Sequence, residues 1–248
     1  MKISGFSFIH NAIHAGIPIV ESIASVSNFV DEMVVVDLQS TDDTRKTLER
    51  LGCIIVDGYW IPGGGDHNCL DVAFDLHNDW CKYDTILSFD ADEVWSYELL
   101  NKIMIRLRIS GCFNMAVARI QVEQNFQRIR MYPYYVHRIM NRGICKRIGQ
   151  TTTMDHIAIK MPIDDGYLWD CSNNYRDNWL NRVLQNAELY GGEPNYMMVP
   201  YHFGMPVRLT EEEAVKCLHE PHWEWKSSPL NLPAVIKKQV GVTRYIGI

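Results

Sequence analysis

Residues 30–49 read "VDEMVVVDLQSTDDTRKTLE". The run "EMVVVDL" (32–38) is almost continuously apolar, as a parallel strand covered on both faces should be. The next residues, "STDDT" (40–44), supply capping side chains and first-turn acids, and the following helix runs to Arg50 with Gly52 ending it. A buried strand that passes through a capped turn into a helix is the building unit of a parallel α/β sheet.

The same unit recurs on either side. "ISGFSFI" (3–9) reads as a strand and "PIVESIASVSNFV" (18–30) as a helix, with Pro18 suited to a first turn. "CIIVDG" (53–58) is a third strand, "HNCLDVAFDLHNDW" (67–80) a helix, and "TILSFD" (85–90) a fourth strand. This order predicts an α/β fold, an open and mostly parallel central sheet flanked by helices. Further on, the pattern predicts a helix over 96–109 and strands over 113–126 and 132–141. A helix over 177–190, a strand over 195–203 and a helix over 210–220 complete the chain, as an elaboration of the same sheet.

The chain has 248 residues, enough for one large domain. Its net charge of −6 and scattered Lys and Arg argue against nucleic-acid binding. Seven cysteines form no CxxC pair, which fits free thiols in a reducing compartment rather than a disulfide framework or a zinc cluster. No apolar run reaches ~18 residues and the first residues lack a signal-peptide pattern, so a soluble cytoplasmic protein is expected.

In open α/β sheets ligands bind beyond the carboxyl ends of the strands. Three predicted strands end in polar clusters: His10-Asn11, Asp37 with Ser40, and Asp90-x-Asp92. If these strands are neighbours, the clusters meet on one edge. Asp90 and Asp92 stand two apart, which in an extended segment places both carboxylates on one side, with Glu93 opposite. Paired carboxylates are hard ligands for Mg²⁺ or Mn²⁺. A solvated turn capping the next helix would leave the same trace. Ser40, Thr41, Asp42 and Asp43 are adequately explained by capping, whereas Asp37 is not, and it could accept hydrogen bonds from a nucleoside. "IPGGGDHN" (61–68) is either a phosphate-approaching glycine loop or a plain connection. His202 in "VPYHFG" is a candidate third metal ligand. Trp169, Tyr175, Trp223 and Trp225 could stack on sugar rings or simply fill the core.

Together "ISGFSFIHNA", "VDEMVVVDLQSTDDTRKTLE", "GGGDHNCLDVAF" and "LSFDADEVW" resemble the family 2 glycosyltransferases of GT-A fold, in that family's order and spacing over residues 3–95. A weaker likeness through "YHFG" and the Trp-containing tail extends toward residue 225. The resemblance implies a single domain over 1–248, with a nucleotide-sugar half (1–95) and an acceptor half (96–248). It implies that the backbone near Phe8, the Asn11 that follows the opening strand and the side chain of Asp37 serve the nucleoside side of the site. Asp90 and Asp92 would bind ribose and a divalent metal, Mn²⁺ or Mg²⁺, on the diphosphate, with His202 as a late metal or diphosphate contact. Asn68 and its loop would line the diphosphate and the donor sugar, carried on a UDP- or GDP-type nucleotide. Leu38 stands where the family often has a second Asp, and His67 where it often has Arg. No Glu-Asp pair marks the catalytic base, so Asp155 in "TMDH" is the first candidate, with Glu123, Asp164 and Asp165 behind it.

The implied reaction is metal-assisted transfer of a sugar from a nucleoside diphosphate to a hydroxyl of a glycan, lipid or protein-linked acceptor, with inversion as the family tendency. Two other readings compete. A sugar nucleotidyltransferase would carry a basic glycine-rich loop soon after the first strand, and "SFIHNAIHAGIP" has no Lys or Arg. A non-catalytic nucleotide-sugar or glycan-binding module would have lost its acids, and "DADE" is intact.

Overall fold

The first strand, β1 (Ile3–Ile9), is buried along nearly its whole length and alternates between two cores. A computed structural model describes residues 1–60, 80–110, 114–123, 128–130, 134–141, 147–148, 151–152, 159–162, 165–166, 168–173 and 225–227. After β1 come α1 (Ile19–Val26), β2 (Glu32–Asp37), α2 (Thr44–Arg50), β3 (Ile54–Asp57), β4 (Thr85–Ser88), β5 (Glu93–Trp95) and α3 (Tyr97–Ser110). The remaining strands are β6 (Met115–Glu123), β7 (Arg128–Arg130), β8 (Tyr134–Asn141), β9 (Arg147–Ile148), β10 (Thr151–Thr152), β11 (Ile159–Lys160), β12 (Leu168–Asn173) and β13 (Trp225–Ser227).

Four strands form the parallel centre in the order β3-β2-β1-β4. The β-branched run Val34-Val35-Val36 suits a strand packed on both faces. One face carries Ile3, Met33, Val35 and Leu87 into a core with Ile19, Ile23 and Val26 of α1, Leu48 of α2 and Leu99, Ile103 and Leu107 of α3. The other carries Phe6, Val34, Val36, Val56 and Ile86 into a second core with Leu38 and Cys81. Beyond β4 the sheet turns antiparallel through β8, β6, β7 and β13, while β11 and β12 run parallel to β6 and β5 pairs antiparallel with β12. β9 and β10 pair separately.

The α/β architecture and the parallel centre agree with the expectation from sequence. The predicted helix over 18–30 is shorter: α1 stops at Val26 and residues Ser27–Phe29 make a 3₁₀ turn. Ser25 and Ser27 bond back through their hydroxyls to the carbonyls of Ser22 and Ala24, and such bonds compete with helix continuation. Pro18 sits at the N-cap, where its carbonyl accepts the Ser22 N–H at 2.8 Å. Glu93 opens strand β5, which three residues were too short to announce by period. Of the predicted helix over 67–80 only Trp80 lies within the described residues, and the elements predicted over 177–190, 195–203 and 210–220 lie outside them. Cys53 and Cys81 carry free thiols. Among the described residues no helix is long and apolar enough to cross a membrane.

Candidate functional site

Parallel pairing brings the carboxyl ends of β1, β2, β3 and β4 to one edge. Ile9 pairs with Asp37 and Asp37 with Asp57. The ladder then runs on into the loops, through Leu38 N–H to Ile9 O at 2.8 Å, Gly58 N–H to Asp37 O at 2.9 Å and Phe89 N–H to Phe6 O at 3.0 Å. The His10-Asn11, Asp37–Ser40 and Asp90–Asp92 clusters therefore share this edge, as expected.

The first two loops are tied together. His10 Nδ1 lies 2.6 Å from Leu38 O, and a carbonyl only accepts, so Nδ1 carries the proton. Its Nε2 then accepts from Asn11 Nδ2 at 2.9 Å. Asn11 Oδ1 takes the Thr41 N–H at 2.7 Å, and Asn11 N–H donates to Ser40 Oγ at 2.9 Å. Asn11 (φ 46) and Gln39 (φ 58) both hold left-handed backbone, which is tolerable for Asn and strained for Gln. The His10 ring stacks on Trp60 at 3.8 Å between centroids. Ser40 and Thr41 thus bind the neighbouring loop rather than cap α2. Asp43 is the N-cap residue but makes no side-chain capping bond, while Asp42, one residue before it, accepts the Thr44 N–H at 2.9 Å.

Asp37 closes the bottom of an open cavity of about 270 Å³ lined by Asp37, Gln39, Arg45, Asp57, Gly58 and Tyr59. Its Oδ1 accepts the Ser40 N–H at 3.0 Å, and its Oδ2 faces Arg45 Nη1 at 3.4 Å. The same Nη1 is held by Asp57 Oδ1 at 2.6 Å. At Gly58 a Cβ would lie 2.6 Å from Val36 Cγ1 and 2.7 Å from Leu38 Cδ2, so any larger residue has to push these side chains aside. Phe8 is half-buried and packs against the core beneath this corner.

Asp90–Glu93 is not extended. The four residues form a turn in which Glu93 N–H donates to Asp90 O at 3.0 Å, and Ser22 Oγ of α1 donates to the same carbonyl at 3.3 Å. Glu93 does not face away from Asp90, contrary to the extended reading. It is fully buried, accepts the Asp90 N–H at 3.0 Å, and binds Arg138 through both oxygens, with Nε to Oε2 at 2.8 Å and Nη2 to Oε1 at 2.5 Å. Arg138 Nη2 also reaches Asp90 Oδ2 at 2.5 Å. Arg119 Nη1 lies 3.2 Å from both Asp90 Oδ2 and Glu93 Oε1. Two carboxylates, Asp90 and Glu93, thus face two guanidiniums, Arg119 and Arg138. Burial pushes the Glu93 carboxyl up, to about 7, with Asp90 adding to the push while Arg138 and Arg119 pull against it. Burial also opposes the Arg138 charge, and Asp90 and Glu93 more than offset it, so its pKa stands above the ordinary value.

Neither arginine was foreseen as part of the site. The available signal was a cation inside an apolar strand pattern, "AVARI" and "YVHRIM", since a buried strand arginine needs a carboxylate partner. Asp92 is buried at the same turn. Asn68, Asp155, Asp164 and His202 lie outside the described residues. Asp165 pairs with Arg106 at 3.5 Å and Lys102 at 3.9 Å on α3. Glu123 is placed by its backbone, in register with Arg128 and Asn173. Among the described residues no three His, Cys, Asp or Glu side chains gather around one point. The hard oxygen donors of Asp90 and Asp92 suit Mg²⁺ or Mn²⁺, although one oxygen of Asp90 is already committed to the arginines.

Fold and edge together define an α/β protein whose polar clusters gather at the carboxyl end of a parallel sheet. Relatives make the class specific. The chain is 35% identical over 203 residues to uncharacterized glycosyltransferase RC0292 of Rickettsia conorii, covering 77% of this chain and 68% of that protein. An uncharacterized glycosyltransferase of Rickettsia felis is 27% identical over 203 residues, with the same coverage of 77% and 68%. The chain belongs to this family of glycosyltransferases. No protein-family model matches it. Among solved structures, S. aureus TarS 1–349 in complex with UDP-GlcNAc is 21% identical with a TM-score of 0.35, covering 50% of this chain and 35% of that one. Glucosyl-3-phosphoglycerate synthase from Mycobacterium tuberculosis, in complex with Mn²⁺, UDP and glucosyl-3-phosphoglycerate, is 23% identical with a TM-score of 0.35, covering 48% and 44%.

Proposed function

We propose that this protein is a family 2 glycosyltransferase of GT-A type, a single domain over 1–248 that moves a sugar from a nucleoside-diphosphate sugar to a hydroxyl acceptor with inversion. One observation carries the reading: the Asp37 cavity and the Asp90–Glu93 turn open on one sheet edge, two strands apart. At ~4.8 Å per strand the separation is roughly 10 Å, which a ribose and a diphosphate can bridge. Asp37 and the backbone by Phe8 hold the nucleoside. Asn11 fixes the loop between them. Asp90 takes ribose hydroxyls, and Asp92 with Asp90 and His202 holds Mn²⁺ or Mg²⁺. The bound cation would neutralise charge developing on the leaving diphosphate. Asn68 lines the diphosphate, and Asp155 takes the proton of the attacking hydroxyl. The acceptor is a glycan or glycoconjugate.

The test is release of nucleoside diphosphate from a panel of nucleotide sugars with Mn²⁺, with and without mixed glycan acceptors. Release that Asp92→Ala abolishes is the expected result. Binding of a nucleotide sugar without turnover across the panel would favour the binding module. Pyrophosphate exchange in place of sugar transfer would favour the nucleotidyltransferase.

A further inference from the structure

The Asp90–Glu93 turn is held at more points than a turn needs. Asp90 N–H donates to Glu93 Oε2 at 3.0 Å. The Asp90 carbonyl accepts the Glu93 N–H at 3.0 Å and Ser22 Oγ at 3.3 Å. Asp90 Oδ2 accepts Arg138 Nη2 at 2.5 Å and Arg119 Nη1 at 3.2 Å. One aspartate is thus anchored through its backbone donor, its backbone acceptor and its side chain, by groups from α1, β5, β6 and β8. A solvated turn needs only its own backbone bond.

Arg138 closes the arrangement from β8. Its Nε donates to Glu93 Oε2 at 2.8 Å, its Nη2 to Glu93 Oε1 and Asp90 Oδ2 at 2.5 Å each, and its Nη1 to the His137 carbonyl at 3.5 Å. All three nitrogens therefore have acceptors within the protein, and the side chain is 7% exposed, so it serves the turn rather than a ligand. Stability alone does not call for such a pair, since apolar residues of similar volume often replace one without penalty. A planar fork with a third contact supplies direction instead: it sets the plane of the Asp90 carboxylate and the course of the backbone toward Asp92.

We infer that Glu93 and Arg138 form a positioning pair, which touches neither donor nor cation and acts by fixing Asp90 and Asp92 for the divalent metal. This deepens the transferase reading above and rests on it. The third acid of "DADE" is then an anchor and not a ligand. Groups that orient metal-binding side chains commonly account for about 10–100-fold in metal affinity.

The test is calorimetric titration of the full chain with UDP and with GDP, once in MnCl₂ and once in EDTA. The readout is the ratio of the two affinities within one variant, which loss of stability does not imitate. In the wild type MnCl₂ should tighten at least one nucleotide. The double variant Arg138→Met with Glu93→Leu should shrink that gain about tenfold or more. Arg138→Lys, which keeps the charge but not the fork, should fall between, and it decides the question if the double variant does not fold. Leu107→Ala, a core change near the far end of α3, should leave the ratio as it is. A wild-type ratio in the folded double variant or in Arg138→Lys, or an equal loss in Leu107→Ala, overturns the inference and leaves the transferase reading intact. No effect of MnCl₂ on the wild type with either nucleotide overturns the metal-dependent reading, and the inference with it.

Discussion

Two carboxylate clusters stand on the same edge, and arginine serves them differently. At the β4 end, Glu93 is fully buried, Arg138 is 7% exposed, and the pair is bidentate. At the β2–β3 end, Arg45 is 42% and Asp57 83% exposed, and Asp37 receives from Arg45 only a long contact at 3.4 Å. A buried charge pair that loses one member leaves the other in a poor dielectric. An exposed pair is screened by water and contributes little to folding. The first cluster is built to hold a turn still. The second leaves Arg45 and Asp57 open to water.

The largest effect follows from breaking the buried cluster. Arg138→Ala leaves Glu93 buried with only Arg119 beside it, and chemical denaturation should show a loss of about 3–5 kcal/mol. Replacing the pair together, Arg138→Met with Glu93→Leu, should recover most of that stability, since apolar pairs of similar volume often substitute without penalty. Its transfer rate should stay low, by roughly 10²-fold, because misplacing Asp90 and Asp92 by about an ångström costs that much. Full activity in the stable double variant would reduce the arginine cluster to packing. Gly58→Ala comes next: its Cβ must displace Val36 and Leu38, for about 1–3 kcal/mol in denaturation and weaker nucleotide binding. Arg45→Ala should be the mildest for folding, under about 1 kcal/mol by chemical denaturation.

The comparison also separates what the sequence revealed from what it did not. β1 and β2 were legible because "ISGFSFI" and Val34-Val35-Val36 carry their burial in composition, and β3 and β4 because short apolar runs recur at the spacing of a strand-helix unit. The meeting of Asp37 with the Asp90–Asp92 segment followed from strand order alone. The inner geometry did not. The expectation that Asp90 and Asp92 share one side assumed an extended segment, whereas the Asp90 carbonyl turns back onto the Glu93 N–H. Glu93 looked peripheral because its partners, Arg119 and Arg138, are 26 and 45 residues away in sequence and meet it only when β6 and β8 join the sheet. Asp57 and Arg45 were hidden for the same reason: an ion pair across a strand and a helix leaves no spacing signal.

The most direct test is a crystal structure of the chain with Mn²⁺ and the tightest-binding nucleoside diphosphate. The account predicts anomalous manganese density at the carboxylate of Asp92 and the nucleoside in the cavity beside Asp37. A nucleotide bound elsewhere, or manganese away from the Asp90–Glu93 turn, would contradict it.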